Sequence, residues 1–453
     1  MTKLSNFTVL PTASIKDALL RLDKNKHGII LIVNKSSKLL GVATDGDIRR
    51  KLVSDFKLSD AIKNCMNTNF VSVDLLTPRE SVIKKFDNNI KVIPVVNSKG
   101  ILQKIYTLND FPVAPEKSNY SRAKAPVRIS FGGGGSDLTH FFATQKGAVI
   151  NATISLYSHA ILKKRNDKKI VISSLDLNKE IKAPNLKTAL KQKTDLSLIQ
   201  SVIKLIDPDF GFELQIYSDF PFSSGLGGSS AVSAAILGCF NEFKSDPWSE
   251  YEMAEIAYQS ERLSLQISGG WQDQYACTFG GFNFMEFSLD DNLVHPLRLA
   301  RRTKLELEQC LVLCDTGISH NSGNIHDDQK NSMSKKKIHD LVKLNVENTH
   351  KIKNKILKGN LDDFAVLLDT AWQFKRKFSS KISNKKLDNI YSGAMKNGAI
   401  GGKLLGAGGG GFFIFYAKPF SRPKLVKYLK NKKLNVVNFS FDENGLQSWK
   451  FRE

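Results

Sequence analysis

The sequence predicts an α+β protein in two parts: a small module built from a duplicated unit, then a larger domain with mixed sheets around glycine loops. Three observations carry this. The first 115 residues contain a gapless internal match at an offset of 63. From Ala123 onward, strand and helix patterns mix instead of alternating as in a doubly wound fold. Three glycine-rich segments stand far apart, GGGGSD at 132–137, SSGLGGSSA at 223–231 and GAGGGG at 406–411. A length of 453 residues suits two to four domains at ~150 residues each, and 41% hydrophobic with 24% charged residues is a globular composition.

In the first part, Gly28–Ile48 superimposes on Lys91–Phe111, so that Asn34 falls on Asn97, Thr44 on Thr107 and Asp47 on Asp110. Each half reads as a helix (Ser14–Leu22; Arg79–Phe86), a strand, a turn, a second strand and a T-x-x-D helix start. Thr44 with Asp47, and Thr107 with Asp110, can cap those helices. The same pairs could instead hold a phosphate and a ribose diol. The duplication resembles a tandem pair of cystathionine-β-synthase-type (CBS) domains over residues 1–113. That resemblance implies a two-fold module, with Thr44, Asp47, Thr107 and Asp110 as contacts for an adenine nucleotide. Residues 114–122, after Pro112 and including Pro115, read as an exposed linker.

The second part begins with a strand at Val127–Phe131 that runs into four glycines. Thr153–Asp176 reads as two or three strands turning at Asn166–Asp167, and Phe212–Phe220 as another. Asp246-Pro247-Trp248 reads as a helix start with an early proline, running to about Gln266. Leu307–Gly317 reads as a strand holding Cys310 and Cys314, and 321–337 as an exposed polar loop. Helices follow to about Lys396. The second four-glycine loop then flows into the strand FFIFY, and a helix over Arg422–Lys430 and further strands close the chain.

The chain is organised around Ser218–Phe240. Gly225, Gly227 and Gly228 can take positive φ and leave room for a close ligand. Ser229 and Ser230 stand where a helix cap is wanted, and Ala231–Phe240 continues as a buried helix. The N–H groups and positive dipole end of such a helix make a seat for phosphate. No GK[ST] follows, so this is not a Walker A loop. A net charge of +22 is spread as lysine, with no arginine–aromatic stripe. This argues for a field that favours anionic substrates and against nucleic acid. The five cysteines form no CxxC pair and sit among apolar neighbours, which predicts reduced, buried thiols. His140, His159, His320 and His326 are isolated and make no metal cluster. Lys146 and Lys403 are candidate phosphate contacts in a lysine-rich chain. No apolar run approaches the ~20 residues of a membrane helix and the first residues lack a signal-peptide core, so a cytoplasmic location is expected.

A fourth segment, Glu261–Phe284, contains Glu261, Asp273, Gly269-Gly270 and Gly280-Gly281. Together APVRISFGGGGSDL, SSGLGGSSA, GGWQDQYACTFGG and KLLGAGGGGF resemble, in order, the motifs of the GHMP kinase superfamily. Within it they are most similar to the D-glycero-D-manno-heptose 7-phosphate kinases. The resemblance implies a two-layer domain of the ribosomal protein S5 domain 2 type over 123–320 and a C-terminal α/β subdomain over 321–453. It implies ATP and Mg²⁺ as cofactors and a sugar or sugar phosphate as acceptor, phosphorylated on its anomeric hydroxyl. L-fucose or another unphosphorylated sugar is the alternative acceptor. A nucleotide-sensing interaction protein with a weak kinase half is the alternative outside full enzymes. By the same resemblance Gly225, Leu226, Gly227, Gly228, Ser229, Ser230 and Ala231 would cradle ATP. Ser230 and Glu261 would hold Mg²⁺, although without the resemblance Glu261 reads rather as a solvated helix carboxylate paired with Arg262. Asp273 would face the attacking hydroxyl, and Arg128 would stabilise the transferred phosphate and keep Asp273 ionised. Gly132, Gly133, Gly134, Gly135, Ser136 and Asp137 would meet the sugar, and Gly408, Gly409 and Gly410 would close the site. The CBS pair suggests nucleotide regulation and a homodimer.

Overall fold

The computed structural model describes residues 4–108, 118–221, 224–266, 268–318, 325, 328 and 336–451. It divides into two packed units, Met1–Lys117 and Ser118–Glu453.

The first unit contains β1 (Thr8–Val9), α1 (Ile15–Asn25), β2 (Ile29–Val33), β3 (Leu39–Thr44), α2 (Asp45–Val53), α3 (Arg79–Ile83), β4 (Val92–Val96) and β5 (Leu102–Thr107). The bounds of β4 and β5 repeat those of β2 and β3 at the offset read from sequence. The two tight turns are closed by the same backbone bonds. Asn34 Oδ1 accepts from the N–H groups of Ser36 and Lys38, and Asn97 Oδ1 from those of Lys99 and Ile101. The turns also clasp one another, since Leu39 N–H donates to Gly100 O at 3.0 Å and Leu102 N–H to Ser37 O at 2.9 Å. The duplication is therefore a local two-fold. The second helix is shorter than expected and ends at Ile83; Lys84, Lys85 and Phe86 turn off it with short-range bonds.

The second unit carries an eight-stranded sheet of β6 (Tyr120–Gly132), β7 (Gly147–Lys164), β8 (Ile170–Ser174), β9 (Lys179–Ala183), β10 (Phe212–Ser218), β11 (Phe282–Phe287), β12 (Asn292–Pro296) and a strand from residues 447–451. The long β7 is its spine. It pairs with β6 along one edge, and on the other edge with β11 near its start and β10 near its end. Only β8 against β10 is parallel. The helices of this half are α4 (Thr139–Phe142), α5 (Leu186–Lys191), α6 (Ser197–Ile206), α7 (Gly228–Asn241), α8 (Glu250–Tyr258), α9 (Gln272–Phe279) and α10 (Arg301–Cys310). α7 lies so close to the sheet that a Cβ on Gly238 would come within 2.9–3.3 Å of Leu446, Ala123 and Ser448.

The second sheet has the order β14-β15-β13-β16, with β13 (Leu311–Asp315), β14 (Ala399–Leu404), β15 (Phe412–Ala417) and β16 (Asn435–Val437), all antiparallel. Its helices are α11 (Lys336–Leu357), α12 (Leu361–Lys375), α13 (Lys385–Lys396) and α14 (Arg422–Asn431). The chain then returns to the first sheet, where β17 (Gln447–Phe451) pairs with β6. One core runs through both halves, from Ile129 and Leu214 to Leu368 and Ile414. No helix among the described residues is long and apolar enough to cross a membrane.

Four expectations need correction. Residues 120–122 are strand and not linker: Tyr120 sits between Lys163 of β7 and Phe451 of β17, and the buried Ser121 hydroxyl donates to Cys239 O at 2.9 Å. Asp246-Pro247-Trp248 precede a helix instead of opening it, because Ser249 and Glu252 form a reciprocal capping box at the true start. Leu307–Cys310 close α10, and the strand begins at Leu311. Its apolar residues sit at helical spacing, with Thr303, Leu307 and Cys310 buried. In the polar stretch 321–337, residues 325 and 328 are helical, Ile325 is buried, and Lys336 and Lys337 already belong to α11. The remainder lies outside the described residues. All five cysteines are free and buried.

Candidate active site

A cavity of about 490 Å³ opens in the second unit, lined by the first sheet and its helices and by Lys375, Phe378, Gly406 and Ala407 of the C-terminal half. Residues from every glycine motif line it, and the chain is held differently at each.

The central loop follows β10. Gly225 (φ 73°) and Gly227 (φ 81°) take the left-handed backbone that glycine favours. Gly227, not a serine, is the N-cap of α7, and no side chain caps this helix. Ser229 and Ser230 lie inside its first turn. The first N–H groups of α7 have no carbonyl one turn back, and Gly228, Ser229 and Ser230 line the cavity. An uncapped helix N-terminus of this kind is an anion seat. Leu226 and Ala231 sit behind the wall as core residues, where Leu226 O accepts from Arg128 N–H and Ala231 N–H donates to Gly227 O. Beyond the loop the lining includes the apolar Leu177, Leu198, Ile216, Phe220 and Val232, with Ser174, Asp176 and Asp195 among them.

Arg128, near the end of β6, is almost fully buried. Its Nε donates to Asp273 Oδ1 at 2.8 Å, Nη2 lies 2.6 Å from the same oxygen, and Nη1 donates to Gly225 O at 2.8 Å. One guanidinium thus ties the central glycine loop to Asp273 in the first turn of α9. A Cβ on Gly227 would lie 3.4 Å from the Asp273 side chain.

Asp137 ends the first motif. Its carboxylate accepts from Gly135 N–H at 3.0 Å, Gln272 N–H at 3.3 Å and Gln272 Nε2 at 3.1 Å. Burial, and then the neighbouring Asp273, push its carboxyl above the usual range. Gln272 Oε1 is a buried acceptor with no protein partner. Only Gly134, Gly135 and Asp137 of this motif reach the cavity. Gly132 packs on Thr349 and Ile352, Gly133 on Ala148 and Val149, and the Ser136 hydroxyl bonds to Gly133 O and Ala148 O.

Glu261 is not a solvated carboxylate. α8 runs into a π-helical turn, Gln259–Ser264, an irregularity common at functional sites. That turn delivers a buried Glu261 to the cavity wall. Ser230 Oγ donates to Glu261 Oε2 at 3.3 Å and Gln274 Nε2 to the same oxygen at 2.9 Å, while Arg262 Nη1 stands 3.5 Å from Oε1.

The last glycine loop contributes Gly406 and Ala407 to the wall. Gly408, Gly409 and Gly410 face Ile382 and Ile318 instead, so they shape the loop from behind. Lys403 is buried behind the site, with its Nζ 3.5 Å from Ser130 Oγ, and Lys146 does not line the cavity.

Two cations that the sequence did not single out line it: Arg262 and Lys375. Lys375 ends α12, and its Nζ donates to Gly406 O and, at 3.4 Å, to Leu404 O. In sequence Arg262 reads only as a surface partner of Glu261, and Lys375 lies outside every glycine motif. A lysine after WQF carries no local signal in a chain with 66 Lys and Arg.

In the first unit, Thr44 and Asp47 form a complete capping box: Asp47 N–H donates to Thr44 Oγ1, and Thr44 N–H and Oγ1 donate to Asp47 Oδ2. Asp47 also borders a concavity with Arg50, Lys51 and Asn67. Thr107 is buried at the end of β5, and Asp110 lies outside the described residues.

Comparison with known proteins places the chain in a family. The GHMP kinases N terminal domain matches residues 197–281, the GHMP kinases C terminal domain 352–433, and the CBS domain 1–54 and 61–111. The chain is 38% identical over 335 residues to a D-glycero-alpha-D-manno-heptose 7-phosphate kinase of Campylobacter jejuni, covering 73% of this chain and 98% of that protein. It is 27% identical over 360 residues to an L-fucokinase/L-fucose-1-P guanylyltransferase of Bacteroides fragilis, covering 72% of this chain and 38% of that longer protein. Among solved structures, a D-glycero-D-manno-heptose 1-phosphate kinase from Bacteriodes thetaiotaomicron aligns with a TM-score of 0.61 at 31% identity, over 74% of this chain and 100% of that one. The chain belongs to the GHMP kinases, in the heptose 7-phosphate kinase family of sugar kinases, with a CBS-domain pair ahead of the kinase fold.

Proposed function

We propose that this enzyme transfers the γ-phosphoryl group of ATP to the anomeric hydroxyl of D-glycero-D-manno-heptose 7-phosphate, giving the 1,7-bisphosphate. One observation carries the reading: Arg128 joins Asp273 to Gly225 at the point where an uncapped helix start and the Asp137 carboxylate share one cavity. Phosphoryl transfer asks a protein mainly for positioning and charge stabilisation, and this junction supplies both. The first turn of α7 holds the phosphate tail, and the apolar end near Phe220 and Val232 takes the base. Asp137 and the unpartnered Gln272 Oε1 accept from sugar hydroxyls. Asp273 accepts or orients the proton of the attacking hydroxyl, and Arg128 steadies charge on the transferred group.

Ser230 and Glu261 fit Mg²⁺. They are hard oxygen ligands held together in a buried pocket. No group of three or more His, Cys, Asp or Glu forms a cage among the described residues, as suits an ion that keeps phosphates and waters as its other ligands. When bound, that ion neutralises charge on the triphosphate.

The test is incubation with ATP, Mg²⁺ and heptose 7-phosphate, read by ³¹P NMR. A new anomeric phosphate signal beside the retained 7-phosphate is expected. Turnover of L-fucose, free heptose or heptose 1-phosphate without turnover of heptose 7-phosphate would refute it. We further propose a cytosolic homodimer whose first unit binds an adenine nucleotide beside Asp47 and regulates the kinase. AMP titration of the full chain and of Asp47→Ala, with sedimentation equilibrium, tests both parts.

A further inference from the structure

We propose that Lys375 is a second catalytic cation, delivered by the C-terminal half of the kinase fold to the phosphoryl group in transfer. The inference rests on reading the cavity as a sugar kinase site. It starts from burial. Lys375 is only 7% exposed, yet it lines the cavity. An ammonium has three N–H donors. Two are spent on Gly406 O and Leu404 O, which fixes Nζ at the mouth of the last glycine loop. Gly406 in turn packs on Gly225, since a Cβ on Gly406 would lie 2.5 Å from Gly225 Cα. Gly225 O is the acceptor of Arg128 Nη1. The lysine therefore stands across one glycine pair from the Arg128–Asp273 junction.

The charges facing it are Arg128 from β6, Asp137 from the first motif and Asp273 from α9, with the buried Lys403 of β14 behind. Desolvation first, then Arg128, lowers the Lys375 ammonium to about 8, against the pull of Asp137 and Asp273. A structural lysine needs no open cavity and no carboxylates in front of it. A cation that must meet a phosphoryl group between Asp137 and Asp273 needs both. Because the cationic form is the active one, kcat/KM should fall as pH rises through about 8. A bound phosphoryl group favours the ammonium, so the corresponding limb in kcat should lie at higher pH.

The experiment uses the full chain with ATP, Mg²⁺ and heptose 7-phosphate, with wild type measured first. If wild type phosphorylates no sugar, the sugar kinase reading has failed and this inference falls with it. Given wild-type turnover, Lys375→Met should lower kcat by about 10²-fold, the scale of removing one preorganised charge donor, with KM for ATP within about threefold. Lys375→Arg should recover at least about tenfold of that loss and abolish the alkaline limb, since arginine stays charged. Lys375→Gln, which keeps an N–H for Gly406 O but no charge, decides the matter if the Met variant does not fold. A purely structural lysine would be rescued by Gln and would leave the limb in place. Either neutral variant with kcat within about threefold of wild type, or a wild-type alkaline limb in Lys375→Arg, overturns the inference.

Discussion

Gly270→Ala should disable sugar binding through a single methyl group. Gly270 does not take positive φ, so alanine brings no backbone strain and the effect is steric. The added Cβ would lie 1.9 Å from Asp137 Oδ2 and 2.4 Å from Cγ, and ordinary contact begins near 3.4 Å. The carboxylate must move away, and with it go bonds from Gly135 N–H, Gln272 N–H and Gln272 Nε2. Bonds to a charged group contribute about 1.5–3 kcal/mol each. The displaced carboxylate then loses its own bonds to sugar hydroxyls; two of these at the low end come to about 3 kcal/mol, or roughly 10²-fold in kcat/KM for the sugar. The assay is steady-state kinetics with varied heptose 7-phosphate, beside calorimetric ADP binding, which should stay within about twofold because Asp137 lies off the phosphate loop. The pair Gly270→Ala and Asp137→Ala should be strongly non-additive: with the carboxylate gone, Gly270→Ala should cost under about 0.5 kcal/mol. A folded Gly270→Ala enzyme with sugar kcat/KM within threefold of wild type would refute the argument.

Three other outcomes are expected. Asp273→Asn should lower kcat by about 10²–10⁴-fold while ADP still binds, as read by single-turnover kinetics and calorimetry; near-normal kcat would remove Asp273 from the proton path. Ser230→Ala or Glu261→Gln should raise the Mg²⁺ concentration needed for half-maximal rate by at least about tenfold, the loss typical even of an outer-shell partner, and an unchanged Mg²⁺ titration would count against both ligands. Thr44→Ala removes one cap bond from α2, about 1 kcal/mol, so amides of residues 48–53 should exchange roughly fivefold faster, with unaltered exchange speaking against the cap.

Much of this was legible because glycine and its neighbours carry geometric information. The repeat in the first unit is visible in the Asn34 and Asn97 turns, where one side chain closes each turn by the same two bonds. Asp137, Arg128 and Asp273 stand in motifs whose glycines clear space for them. What stayed hidden depends on packing. Glu261 beside Arg262 reads as a surface pair until the π turn rotates it inward. Gly408–Gly410 read as a ligand loop until Ile382 and Ile318 fill the space they leave. Lys375 becomes notable only when α12 and the loop after β14 converge. Leu307–Cys310 shows the local version, where apolar residues before a strand satisfy the helix period equally well.

The pairing of β17 with β6 has a consequence for biosynthesis. Ser118 Oγ bonds to Phe451 O across 333 residues of chain. The first strand of the kinase unit thus gains its outer neighbour only when the last strand leaves the ribosome. At ~5–20 residues per second, β6 waits for tens of seconds with one edge open. Such an edge is a template for association with other chains. Nascent chains truncated before residue 447 should therefore depend on holdase chaperones, and released full-length chains should not. Ribosome-stalled chains pulled down before and after that point would show the difference.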